Sequence, residues 1–143
     1  MNRLLTPSEI TETMLANDKF SQWLGIEILE TREDYCKLKM TIRDEMLNGM
    51  KKAQGGITFS FADSCFAFAS NTRGRKAVSI EASINHIEAL ESGDEITAEA
   101  EMESVKNKLG FYIVRVYKGD KDEVVALFKG VVYRTSVEWR EGD

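Results

Sequence analysis

The sequence is short of the residues from which several common sites and frameworks are built. Its 143 residues include one histidine, His86, two cysteines, Cys36 and Cys65, and one proline, Pro7. With no Cys-x-x-Cys and no second histidine, a zinc site, a Ser-His-Asp triad and a disulfide framework are all poorly supported. No stretch approaches the ~20 apolar residues that a membrane-spanning helix needs. The opening Met-Asn-Arg-Leu-Leu-Thr-Pro leads into charged and polar residues rather than the apolar centre of a targeting segment. Positive charge is also scarce: 19 basic against 24 acidic residues leave a net −5, so neither nucleic acid nor an anionic membrane is an expected partner. These absences together lead us to expect a soluble, cytoplasmic protein with no metal and no redox cofactor.

What is present is a globular mixture, 43% hydrophobic and 30% charged. At this length it suits a single domain over residues 1–143, with no repeat, low-complexity tract or linker. Thr6-Pro7-Ser8-Glu9 reads as a helix start with a capping box, and the helix runs from about Pro7 to Ala16, followed by a short helical turn up to Trp23. Strict alternation then marks half-buried strands at 35–42, 76–86 and 95–103. In the second of these Val78, Ile80, Ala82 and Ile84 share one face, and Ser79, Glu81, Ser83 and Asn85 the other. Two further strands, about 109–117 and 123–135, flank a hairpin turn at residues 118–122 and carry apolar residues on both faces, so something must cover the second face.

Between the first two alternating strands, Gly55-Gly56 opens a run from Ile57 to Asn71 that is apolar nearly all round at helical spacing, with Gly74 as a stop. A helix of this kind belongs inside a protein. One long central helix followed by an antiparallel sheet that wraps it is an α+β arrangement.

Asp63 is the only charged side chain between Ile57 and Thr72. A carboxylate on a buried helix is costly unless it is paired or solvated. Either it meets a basic residue or a water-filled groove for structural reasons, or it performs chemistry. The preceding Asn48-Gly49-x4-Gln54-Gly55-Gly56 is a glycine-rich entrance to the same helix. Glycines at that position leave backbone N–H groups free to donate to an oxyanion, and Gln54 and Asn48 add neutral donors.

The stretch from Asn48 to Asn71 resembles the signature of hotdog-fold acyl-CoA thioesterases, in particular the phenylacetate-pathway (PaaI-type) branch, and the strand pattern from Ala77 to Tyr133 continues the likeness more loosely. The resemblance implies a hotdog fold and a chain that hydrolyses an acyl-CoA thioester to a carboxylic acid and CoA, the CoA being part of the substrate. It further implies that Asp63 is the catalytic carboxylate, that the Gly55 N–H polarises the thioester carbonyl, with Gly56 beside it at the substrate, and that Asn48 orients the water or nucleophile. Where the family usually has His-Gly-Gly, this chain has Gln54-Gly55-Gly56. One donor is thus changed and any role that needs imidazole is lost from that position. Whether Asp63 acts as general base or as nucleophile stays open. So does a different class of reading, a non-catalytic acyl-CoA-binding module of the same fold, and a third, a ligand-free structural dimer in which Asp63 is paired off.

Gly55 and Asp63 are eight positions apart, which along a helix is ~12 Å, too far for both to touch one carbonyl. A two-fold pairing of central helices solves this by bringing Gly55 of one subunit beside Asp63 of the other. The resemblance implies such a homodimer, and often a homotetramer of two dimers. An acidic protein that binds coenzyme A also needs a cationic landing place, for which Arg73, Arg75 and Lys76 after the central helix, or Lys106 and Lys108 before the next strand, are candidates. Ser79 can present a hydroxyl to the site or to solvent. Phe59, Phe66, Met46 and Met50 either line an acyl pocket or belong to the core. His86 reads as an ordinary strand-end residue and Cys65 as core.

Overall fold

The computed structural model describes residues 2–119 and 123–143, so the centre of the expected hairpin turn, residues 120–122, lies outside the described residues. Helix α1 (Pro7–Asn17) begins where the sequence marks it. The Thr6 hydroxyl accepts from the Glu9 N–H and the Glu9 carboxylate accepts from the Thr6 N–H, which closes the capping box. Helix α2 (Lys19–Leu24) is capped by Asp18 and ends at Gly25, whose φ of 79° is a left-handed conformation that glycine adopts without strain. There follow β1 (Glu27–Arg32), β2 (Tyr35–Thr41), one 3-10 turn at Asp44–Met46, the central helix α3 (Gly55–Asn71), β3 (Arg75–His86), β4 (Glu95–Lys106), β5 (Leu109–Lys118) and β6 (Val124–Glu138). Among the described residues no helix is long and apolar enough to cross a membrane.

The six strands form one antiparallel sheet in the order β1-β2-β4-β5-β6-β3, which leaves β1 and β3 as its edges. α3 lies across this sheet and touches every strand from β2 to β6. The result is the α+β hotdog architecture with N-terminal helices that the resemblance implies. Phe61, Cys65, Phe66 and Phe68 of α3 are buried against Leu38, Met40, Ala98, Tyr112, Val114 and Phe128. Each such aromatic or aliphatic side chain contributes about 1.5–3 kcal/mol by leaving water. Gly130 on β6 allows the closest approach: a Cβ there would lie 2.6 Å from Phe66 Cζ. The Cys65 thiol donates to the Cys36 carbonyl at 3.3 Å, and burial pushes its pKa up, so Cys65 is core as expected.

Asn71 ends α3 as a buried hub. Its amide oxygen accepts from the Ala77 N–H at 2.9 Å and from Trp139 Nε1 at 2.9 Å, and its amide nitrogen donates to the carbonyls of Ala67 and Ala77. Helix end, edge strand and C-terminal segment are thereby fastened to one side chain.

β3 departs from strict alternation. Its register with β6 shifts between Ser79 and Glu81, so that Ser79 opposes Val132 while Ala82 opposes Gly130 and Ile84 opposes Phe128. Val132 and Phe128 are buried and Gly130 faces Phe66, so all three mark the helix side of the sheet. The bulge therefore moves Ser79 onto the helix side with Ala82 and Ile84, and Val78, opposite Tyr133, onto the outer side; the sequence pattern had them the other way round. The outer side is not covered within the chain, since Phe111 and Tyr133 are each 37% exposed.

Candidate active site

The loop before α3 holds itself and its neighbours in place. Asn48 Oδ1 accepts from the N–H groups of Met50 at 2.8 Å and Lys52 at 3.2 Å, and the Asn48 N–H donates to the Lys52 carbonyl at 2.7 Å. This tight turn is why Lys51 stands at a φ of 60°. Beyond it, the Ala53 N–H donates to the Leu90 carbonyl and the Gln54 N–H to the Met46 carbonyl, both at 2.8 Å. With its oxygen spent on the loop, the Asn48 amide N–H2 has no partner among the described residues and can meet an external acceptor.

Gln54 stands at the N-cap of α3 but its side chain makes no capping bond and is exposed. The N–H groups of Gly55 and Gly56 likewise have no partner among the described residues, the first bonded amide of the helix being that of Ile57, to the Gln54 carbonyl at 2.9 Å. Two free donors at the positive end of a seventeen-residue helix make an anion-seeking locus.

The helix start separates two clefts. Gln54, Gly56 and Ile57 open onto one of about 290 Å³, shared with Phe20, Met46 and Leu47. Asn48, Thr58 and His86 open onto a second of about 290 Å³, shared with Met50 and Lys52. His86 is the residue the sequence reading passed over. Its ring lies against the helix start: a Cβ on Gly55 would meet His86 Nε2 at 3.2 Å. No motif links position 86 to position 55, and only the length and register of β3 along β6 bring them together.

Asp63 sits two turns further along α3, half-buried. Among the described residues of one chain its carboxylate has no ion-pair partner, and none of the side-chain hydrogen bonds involves it. Burial first, and the negative charge of Asp18 second, hold its pKa above the ordinary aspartate value. Asp18 is near because it caps α2, accepting from the Ser21 N–H at 2.9 Å, while Ser21 and Ser64 share a hydroxyl contact of 2.8 Å that fixes α2 to α3.

The expected cationic residues are unequally available. Arg73 is taken up by Asp34, with Nη2 2.8 Å from Oδ2, and Asp34 also accepts from the Tyr112 hydroxyl at 2.9 Å. That bonding raises the Arg73 pKa. Lys76 pairs with Asp143 at 3.3 Å and lies over the Trp139 ring. Lys108 lies 6.0 Å from the Tyr133 ring centre, and Arg75 is exposed without an ion pair among the described residues. Of the residues weighed for an acyl pocket, Phe66 and Met46 are core, Phe59 packs edge-on to Phe128, and Met50 is 79% exposed beside the second cleft.

Comparison with known proteins adds an independent constraint. The profile of the thioesterase superfamily matches residues 53–125. A protein of Archaeoglobus fulgidus is 38% identical over 130 residues, 91% of this chain and 84% of its own length. The acyl-coenzyme A thioesterase PaaI of Escherichia coli K12 is 34% identical over 121 residues, 85% of this chain and 86% of its own. The solved structure of the E. coli PaaI protein from the phenylacetic acid degradation operon superposes with a TM-score of 0.89 at 31% identity, covering 93% of this chain and 96% of that one.

Proposed function

Because the chain belongs to the thioesterase superfamily, we propose that it is an acyl-CoA thioesterase of the PaaI type that releases a carboxylic acid and free CoA. The observation that carries the chemistry is Asp63: a half-buried carboxylate that has no ion pair among the described residues, two turns along one helix from two backbone donors that likewise have no partner there. The Gly55 N–H donates to the thioester oxygen as negative charge develops on it, Asn48 orients the attacking group through its amide hydrogens, and Asp63 serves as base or nucleophile. Gln54 and Gly56 face the first cleft and contact the bound substrate from there.

Along α3 the two halves of this machinery are ~12 Å apart, so a complete site takes Gly55 from one subunit and Asp63 from its partner. Edge strand β3 supports such a homodimer. It has one unpaired side, and its Val78 and Ile80 are 54% and 58% exposed, an apolar edge of the kind that monomeric proteins avoid. The bulge sets the Ser79 hydroxyl on the helix side of that edge, where substrate passes. The uncovered outer face around Phe111 and Tyr133 offers a second contact, which suits a homotetramer. Arg75, Lys106 and Lys108 are the candidate cations left for the CoA phosphates among the described residues, Lys76 being shared with Asp143 and Arg73 committed to Asp34.

The test is a panel of acyl-CoAs assayed for thiol release. Hydrolysis of at least one thioester, with a dimer or larger species in sedimentation, is the expected result. Tight acyl-CoA binding with no thiol release would instead make the protein a binding module.

A further inference from the structure

We propose that His86 is a second side-chain participant in the reaction, donating from Nε2 to the same thioester oxygen to which the Gly55 N–H donates. The inference rests on the hydrolase reading and adds a catalytic residue to it. A Cβ at Gly55 would lie 3.2 Å from His86 Nε2. Since Cβ and amide nitrogen of one residue are about 2.5 Å apart, Nε2 and the Gly55 nitrogen can be separated by no more than about 5.7 Å. Two donors that each stand about 2.9 Å from one oxygen can be up to about 5.8 Å apart. One oxygen can therefore accept from both.

Three further observations support this assignment. Neither ring nitrogen of His86 has a hydrogen-bond partner among the described residues, so Nε2 can carry the ring proton and donate it without breaking a bond. The ring opens onto the cleft that also holds Asn48, with its unspent amide hydrogens, and Thr58. The close approach of ring to backbone also supplies a reason for glycine at position 55, where any Cβ would crowd the imidazole. The charged neighbours on this cleft are Lys52, which is ion-paired with Glu91, and Glu88.

In the reaction a C–O bond forms to the carbonyl carbon and the π pair moves onto the oxygen held by Gly55 and His86. Collapse of that intermediate breaks the C–S bond, and the proton given up by water ends on the CoA thiol or in solvent. The part played by His86 is the same whether Asp63 acts as base or as nucleophile, because both routes place negative charge on that oxygen.

The test compares wild type, His86→Phe and His86→Gln on an acyl-CoA that the wild type hydrolyses. Removing one oxyanion donor should lower kcat about 100-fold in His86→Phe and leave KM within about threefold. His86→Gln, which restores a donor of similar reach, should recover to within about tenfold of wild type. A second readout needs no substitution: His86 is the only histidine, so its Cε1–H proton gives one imidazole signal in the NMR spectrum. That signal should move when the protein is saturated with a ketone analogue of the acyl-CoA, in which a methylene separates carbonyl from sulfur. A His86→Phe variant with kcat within threefold of wild type, or an imidazole signal unmoved at saturation, overturns the proposal. A wild type that releases thiol from no acyl-CoA overturns the hydrolase reading itself, and this assignment with it.

Discussion

Replacing Asp63 with Asn separates the chemistry of this carboxylate from its part in folding. The change keeps the shape and removes charge and basicity. No salt bridge is lost, because the carboxylate has none among the described residues. Burial and Asp18 both disfavour the ionised form in the folded state, so the native protein holds the Asp63 proton more tightly than the unfolded chain does. Stability must then fall as pH rises from the unfolded carboxyl value, about 3.9, through the raised folded value. Asn cannot titrate and lacks this limb. At pH 7 the variant should therefore melt at the wild-type temperature or up to about 2 °C higher, a change within about 0.5 kcal/mol for a chain of this size. Turnover should drop by about 10²–10⁴, equivalent to roughly 3–5 kcal/mol of barrier, with acyl-CoA binding retained. Thermal melts across pH 4–8 and thiol release by the same samples measure both sides. Wild-type turnover in the Asn variant would refute the catalytic role. A loss of more than about 5 °C at pH 7 would mean that the carboxylate is held by bonds the folded chain needs.

Subunit exchange tests the shared site: Asp63→Asn and Gly55→Val, each inactive alone, should regain up to about half the wild-type activity per heterodimer, and verified heterodimers that stay dead would place the site within one chain. Gly130→Ala should cost about 2–3 kcal/mol, near 8 °C in Tm, because its Cβ would lie 2.6 Å from a Phe66 ring already packed on Tyr112 and Phe128; an unchanged denaturation midpoint would show that the ring can yield. Gln54→Ala should lower kcat if the exposed amide reaches substrate, with Gln54→His tolerated, and identical kinetics for all three residues would put this side chain outside the site. Asp34→Asn should destabilise by about 1–2 kcal/mol in chemical denaturation, since it removes the charge facing a partly exposed Arg73 while keeping a partner for Tyr112.

The local grammar of the chain was readable without coordinates because it is written in near neighbours. Thr6 and Glu9 announce a helix start through contacts three residues apart, and an apolar run from Ile57 broken by a single Asp63 announces a buried helix with a purpose. The alternation of β2 and β4 holds because one face of each meets α3 and the other does not. On β3 the same rule failed at the bulge between Ser79 and Glu81, where one extra residue exchanges the faces of Ser79 and Val78; no residue type there signals it.

By itself, then, the order of residues determined the α+β architecture, the central helix and the identity of its lone carboxylate, since each depends on periodicity and on chemistry within a few positions. Tertiary structure alone decided which groups meet. It tied Arg73 to Asp34 across thirty-nine positions and so withdrew a cation from the expected set. It also turned the Asn48 oxygen inward and left its amide hydrogens free. And it carried His86, at the far end of an edge strand, to the glycine that opens α3. Such meetings are set by strand register and helix placement, which sum contributions from the whole core, and no short stretch of sequence contains them.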